Sequence, residues 1–195
     1  MSLQQAQKRS TRAKLVAYAG IFTAFYAIYG IISGISWASQ LHGIDAHVAR
    51  AFLMMILYAQ LDRFGGPTIM GLISGAILTA SPGDPGAISF VPAFGAAGLV
   101  FELVLGVNRS GTPSRSKVIF ASALSGFAES IIVIAYLFAI GFPFLEATQV
   151  VRSVIPNADM SLIVLYVVGR NPLLSAIGGI LAAELIKRGR IPVRK

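Results

Sequence analysis

The sequence predicts an all-α integral membrane protein, a bundle of six transmembrane helices with both the N and the C terminus in the cytoplasm. Of the 195 residues, 55% are hydrophobic and only 12% are charged, against about 25% charged residues in soluble domains. The apolar residues form long runs separated by short polar segments, and the basic residues gather in those segments. Mean hydropathy is +0.75. We therefore predict one transmembrane domain covering residues 1–195, located in the cell membrane as a multi-pass protein.

The predicted spans follow the apolar runs in order, and they are 15–38, 46–61, 68–80, 88–107, 118–141 and 160–186. The first follows a basic segment, and its apolar part is longer than the core of a signal peptide, about 7–15 residues, so a retained helix is favoured over a cleaved one. The third has 13 residues, about 20 Å of helix, which is short for a hydrocarbon core of about 30 Å. The sixth contains Arg170-Asn171-Pro172, which predicts a kink or a break.

The distribution of basic residues gives the predicted orientation. With six spans, 13 of the 16 Lys and Arg residues lie on the side of the termini, and only Arg50, Arg152 and Arg170 lie on the other side. Because cytoplasmic loops are enriched in Lys and Arg, this bias places the termini inside. It also argues that 68–80 crosses fully, since five crossings would put the basic C terminus outside.

Several function classes are excluded or disfavoured by what the chain lacks. It has no cysteine, no phosphate-binding loop, no dinucleotide fingerprint and no catalytic serine or zinc-protease motif. We therefore expect no enzyme, no cofactor and no ATP hydrolysis by the chain itself. The net charge of +8 is explained by topology rather than by nucleic-acid binding.

Ionisable residues inside predicted spans are costly, which makes them candidates for function. Glu129 lies midway along the fifth span, and Tyr136 follows seven positions later on the same helical face. Arg170 and Asn171 lie at the interruption of the sixth span, where transport proteins often bind substrate. The alternatives are a protonated Glu129 that hydrogen-bonds a neighbouring helix, and an Arg170 that reaches the interface or pairs with Glu129 or Asp159.

Polar residues in the predicted outer loops suggest a lid over this site. Trp37 is predicted to contact substrate, and His42 and Asp84 to belong to the extracellular lid. His42, Asp45 and His47 match no zinc-binding spacing, so no metal site is predicted, and these residues are expected to belong to the lid beside Trp37. Glu102 and Glu184 are predicted to be structural, with Glu184 placed to pair with Lys187 and Arg188.

Small residues recur at near four-residue spacing on the first span, at Ala13, Ala17, Gly20 and Ala24. Such faces allow helices to approach closely in lipid. They predict either internal packing or contact with a partner subunit.

Taken together, the chain resembles the substrate-binding S components of energy-coupling factor transporters. The similar segments are the alanine-rich Leu15 to Ala24, the glycine-rich turn Arg63 to Gly75, and the stretches Val91 to Glu102 and Asn171 to Leu181. The resemblance implies a subunit that captures a vitamin or vitamin precursor outside the cell and delivers it to a transmembrane coupling subunit with ATP-hydrolysing subunits. It also implies that Ala13, Ala17, Gly20 and Ala24 contact the coupling subunit, although Ile21 departs from the strict pattern.

The predicted site leaves the substrate open between two classes. Trp37, Tyr136 and Glu129 suit an aromatic, partly cationic ligand such as thiamine or its pyrimidine precursor, which we favour. Arg170 and Arg152 would suit a carboxylate such as biotin or pantothenate. A standalone proton- or ion-coupled transporter, or a channel subunit, is the alternative function.

Overall fold

All secondary structure in the described part of the chain is helical. The computed structural model describes residues 13, 17–25, 28, 44–61, 64–79, 87–106, 113–140, 152 and 155–190. Its main helices are α1 (Ile44–Gln60), α2 (Gly66–Thr79), α3 (Phe90–Leu105), α4 (Arg115–Ala139) and α5 (Met160–Lys187), with a 3₁₀ turn, Ala87–Ser89, ahead of α3. Residues 17–25 are helical as well.

The helices correspond to the predicted spans within a few residues at each end, because local signals mark their limits. Ser114 and Asp159 cap the starts of α4 and α5, accepting hydrogen bonds from the backbone N–H groups of Lys117 and Leu162. Gly106 ends α3 with a φ of 80°, a conformation that favours glycine.

The predicted interruption of the sixth span is not a break. Helix α5 runs continuously through Pro172. Continuity through a proline is tolerated inside a helix when neighbouring groups satisfy the freed carbonyl.

The five helices form a closed ring in which each packs against the next along the chain, and α5 returns to pack against α1. Successive helices from α2 to α5 run antiparallel and approach closely at glycines. Gly71 of α2 lies against the Phe94 carbonyl of α3, and Gly126 of α4 lies against Asn171 of α5. Helix α1 lies alongside α5, with its Val48 carbonyl against Gly178. We call the end at which α1, α3 and α5 begin the upper end, and the opposite one the lower end.

The interior differs between the two ends. The lower part is an apolar core that includes Met54, Leu57, Phe101, Val118 and Ile186, with Ala19 of the N-terminal helical segment packed into it. A smaller apolar cluster joins α4 and α5 above, around Ile134 and Ile163. Between them lie buried charged and polar side chains, so the middle of the bundle is polar.

The outer surface is apolar. Helices α4 and α5 are both long and apolar enough to cross a membrane. On α5 the exposed side chains include Leu165 (66% exposed), Leu173 (68%), Ile177 and Leu181, which follow one stripe at four- and eight-residue spacing. Only 22% of the most apolar window of α5 is buried within the protein. Helix α5 is therefore not the shielded core helix of the described bundle.

Candidate functional site: a buried polar cluster

An ion pair between α1 and α4 forms the centre of the polar interior. Arg50 is 2% exposed and Glu129 is 4% exposed. The Arg50 guanidinium donates from Nη1 to Oε1 of Glu129 at 2.6 Å, and Nη2 contacts the second carboxylate oxygen. This two-point geometry matches the planar fork of arginine to both oxygens of one carboxylate. Each charge therefore has a partner in a region with little access to water.

Histidine and phenylalanine side chains complete the surroundings of this pair. His47 lies one turn before Arg50 on α1, and its Nδ1 is 2.9 Å from Arg50 Nη2 and 3.4 Å from Glu129 Oε2. The guanidinium carbon of Arg50 lies 4.4 Å from the centroid of the Phe94 ring on α3, within the range of a cation–π contact. Three helices thus hold one guanidinium.

A second polar contact joins α4 to α5 beside the ion pair. Asn171 is buried, and its Nδ2 donates to Ser130 Oγ at 2.9 Å; Ser130 in turn donates to the Gly126 carbonyl. Ser130 follows Glu129 directly in the chain. The amide of Asn171 is therefore oriented by α4, with its oxygen left for another donor.

Arg170 supplies that donor. Its Nε donates to Asn171 Oδ1 at 3.2 Å, and its guanidinium carbon lies 5.2 Å from the Tyr166 ring centroid, one turn earlier on α5. Arg170 is half-buried. Asn171, which accepts from Arg170, is hydrogen-bonded to Ser130, the neighbour of Glu129 in the chain. Arg170 therefore belongs to the same cluster.

The structure brings together some of the residues that the sequence singled out. Glu129, Arg170 and Asn171 lie in one cluster, and Tyr136 is half-buried two turns above Glu129 on α4. Glu129 pairs with Arg50, and Asp159 caps α5, so neither partner proposed for Arg170 is its contact. Trp37, His42 and Asp84 lie outside the described residues.

Sequence reasoning missed Arg50 and Phe94 as members of the site. It also assigned His47 to the lid, whereas His47 is buried beside Arg50 and Glu129. Arg50 was counted only as a basic residue of the outer side. Arg50 could have been recognised from its position inside an apolar span, one turn after His47, because another span carried an acid, Glu129, that needed a partner. Phe94 gave no signal, because a phenylalanine in an apolar helix is ordinary.

The two glutamates predicted to be structural have contacts of that kind. Glu102 is buried near the lower end of α3, where it accepts from the backbone N–H groups of Gly65 at 2.8 Å and Thr68 at 3.3 Å, at the start of α2. Glu184 pairs with Arg188 at 3.3 Å on an exposed face, which confirms part of that prediction.

The small residues of the first span divide by exposure. Ala13, Ala17 and Ala24 are exposed, whereas Gly20 is half-buried with nothing within 4 Å of where a Cβ would lie. Ala19 and Thr23 face the bundle instead. The face that carries these alanines is thus available for contact outside the described bundle.

The described helices form a step at the cluster, because α1 and α3 begin beside it and α4 and α5 continue beyond it. His47 and Phe94 are within the first two turns of α1 and α3, whereas α4 continues for ten residues beyond Glu129 and α5 begins eleven residues before Asn171. At about 1.5 Å per residue, α4 and α5 rise about 15 Å above the cluster.

Within the described residues, no group of three His, Asp or Glu side chains is placed to hold a metal ion. The arrangement offers hydrogen-bond donors, fixed charges and aromatic faces, which suit binding. The chain matches no protein family model, and no curated protein or solved structure shows significant similarity to it.

Proposed function

We propose that the chain is a multi-pass membrane protein that captures a small molecule at the outer face of the cell membrane, as the S component of an energy-coupling factor importer. The observation that carries the proposal is the inverted distribution of polarity. Charged side chains are buried between helices, and large apolar side chains cover the outside. A bundle of this kind is suited to lipid, where a polar interior marks a ligand pathway.

The membrane placement is supported by the exposed surface. Phe25, Leu103, Phe120 and Leu173 are each at least 60% exposed, and they come from different helical segments. Soluble proteins expose isolated apolar side chains but seldom surround themselves with them. Six spans in all, counting the first, would put both termini in the cytoplasm by the distribution of basic residues.

That orientation makes the upper end the outer end. The predicted lid residues His42 and Asp84 belong to connections on that side. Ligand would enter from outside and rest against Arg170, Asn171 and the Arg50–Glu129 pair. This is the arrangement that capture before transport requires.

The partner assignment is supported by the first helix. Ala13, Ala17 and Ala24 present small side chains outward, and small residues permit close approach between membrane helices. Since the chain has no ATP-binding motif, energy would come from a transmembrane coupling subunit with ATP-hydrolysing subunits. Vitamins and their precursors are the substrate class that the family resemblance implies.

Cysteine labelling tests the membrane placement directly, because the native chain has no cysteine. We expect Gly83→Cys to react with an impermeant maleimide in intact cells and a cysteine at Lys195 to react only after permeabilisation. Leu173→Cys, but not Ser175→Cys, should be quenched by spin-labelled lipid after fluorescent labelling. Labelling of both Gly83→Cys and the Lys195 variant from the same side would refute the six-span arrangement.

Purification from the native membrane tests the subunit role. We expect a retained small molecule and co-purifying coupling and ATP-hydrolysing subunits in native mass spectra. Ala24→Trp should reduce recovery of those subunits several-fold and leave ligand retention unchanged, since Ala24 is exposed on the outside of the first helix. Equal recovery from wild type and Ala24→Trp would remove the first-helix face from the interface.

A proton-coupled transporter is the second candidate, and the His47–Glu129 contact favours it. A histidine 3.4 Å from a buried carboxylate is a pair that can exchange a proton during transport. Flux into proteoliposomes containing the chain alone, driven by a pH gradient, would establish this candidate. Capture without flux in the absence of partner subunits would establish the S-component role.

A further inference from the structure

We infer that the captured molecule carries a carboxylate or a comparable anionic group, and that Arg170 is its counter-ion. The inference rests on the proposed function, because it assigns a ligand class to the same site. It reverses the preference that the sequence gave for a cationic ligand.

Glu129 is the residue that a cationic ligand would need. Both of its oxygens contact the Arg50 guanidinium, and both side chains are at most 5% exposed. A cation could reach this carboxylate only by displacing a buried arginine and leaving that charge without a partner, which is costly. Glu129 is thus committed to Arg50 within the protein.

The cluster then keeps an excess of positive charge. Its described members contain the arginines Arg50 and Arg170 and one acid, Glu129. The pair of Arg50 and Glu129 is neutral, so the charge of Arg170 is the remainder. An anionic ligand would neutralise it, whereas a cationic ligand would add a second like charge beside it.

Arg170 is also held in position for a ligand. Its Nε is used by Asn171 Oδ1, and Asn171 is fixed by Ser130. The Tyr166 ring supports the guanidinium from the side. Among the described residues no carboxylate lies within ion-pair distance of it. The two terminal nitrogens of an arginine held in this way present the planar donor pair that carboxylates accept.

The position of Arg170 agrees with ligand entry from the upper end. It lies on the half-buried stripe of α5 beside Tyr166, at the foot of the step described above. Arg50 and Glu129 are deeper and less exposed. An anion would therefore meet Arg170 before it met the neutral pair.

The experiment combines identification of the retained molecule with matched probes. One portion of the protein, purified in mild detergent, is denatured, and the released small molecules are identified by mass spectrometry. A second, folded portion is freed of bound molecules by prolonged dialysis in detergent and titrated with pantothenate and panthenol, biotin and biotinamide, nicotinate and nicotinamide, and thiamine, with binding measured by calorimetry. Each pair differs only in the presence of the carboxylate, and thiamine is the cationic probe.

We expect the retained molecule to be anionic. We also expect at least one carboxylate probe to bind at least tenfold more tightly than its neutral analogue. Arg170→Gln should weaken that binding at least tenfold and remove the preference for the carboxylate, and Arg170→Lys should restore part of it. Arg188→Gln, an exposed arginine at the lower end, is the matched control and should bind within twofold of wild type. Thermal unfolding of each variant confirms that it is folded.

Three results would overturn the inference. A retained cation or neutral molecule would do so while leaving the capture role intact. An Arg170→Gln variant that folds and keeps both affinity and preference would remove Arg170 as the counter-ion. Absence of any retained molecule and of binding to every probe would overturn the capture role as well, so the two failures are distinguishable.

Discussion

Separating Arg50 from Glu129 should be among the most damaging changes to the bundle. Both side chains are at most 5% exposed. Removing one member of a buried pair leaves the other charge without compensation, at a cost of about 3–5 kcal/mol in the free energy of unfolding. In a chain of this size that corresponds to a fall in Tm of roughly 6–20 °C. We expect Glu129→Leu and Arg50→Met each to lie in this range.

Replacing both members should be far less damaging than either single change. In the double variant Arg50→Met/Glu129→Leu no buried charge of the pair remains, and apolar side chains of similar size replace it. Such replacements are often neutral or stabilising. The coupling free energy from the double-mutant cycle should therefore be about 3 kcal/mol or more.

Unfolding of the purified protein in mixed micelles, followed by circular dichroism during an SDS titration and a thermal ramp, measures all four species. Glu184→Gln is the matched control, since Glu184 forms an exposed pair with Arg188. Its effect should be at most about 0.5 kcal/mol. Additive single effects, with a double variant as unstable as their sum, would refute the view that the two charges compensate each other inside the bundle.

Two further predictions concern helix packing and capping. Gly178→Ala should lower the free energy of unfolding by about 1–3 kcal/mol, because a Cβ there would overlap the Val48 carbonyl. Gly169→Ala on the same helix is the control: its Cβ would meet nothing within 4 Å, and the change should be neutral or stabilising by up to about 1 kcal/mol. Equal Tm values for the two variants would contradict this. Glu102→Ala should leave the N–H groups at the start of α2 without their carboxylate acceptor, which should lower the free energy of unfolding by about 1–3 kcal/mol. Hydrogen exchange should accelerate at Gly65 and Thr68. Unchanged exchange there would show that the cap does not protect them.

The limits of the helices were predictable because they depend on local signals. Apolar runs bounded by Gly, Pro and charged residues gave α1 to α5 within a few residues, and the cap of α4 follows from a serine before a helical run. From sequence alone the proline of α5 predicts a kink or a break, and the structure excludes the break. In the structure the helix continues through it.

The members of the polar cluster were predictable singly, but their pairing was not. Glu129, Arg170 and Asn171 drew attention because polar residues in apolar spans are rare. Which arginine contacts Glu129 depends on how α1 is rotated within the bundle, and the contact between Val48 of α1 and Gly178 of α5 helps to fix that rotation. Such contacts join residues far apart in the chain, so the spacing of residues along one helix carries no information about them.

The unequal helix lengths have a consequence for the surrounding lipid under the proposed membrane placement. Helices α2 and α3 have 14 and 16 residues, about 21–24 Å, whereas α4 and α5 have 25 and 28 residues, about 38–42 Å. A hydrocarbon core of about 30 Å is too thick for the first pair and too thin for the second. The bilayer would have to thin along one flank, and α4 and α5 would have to tilt. The protein would then carry an asymmetric annulus of deformed lipid, and a neighbouring subunit that replaced the thinned lipid would relieve that deformation on association.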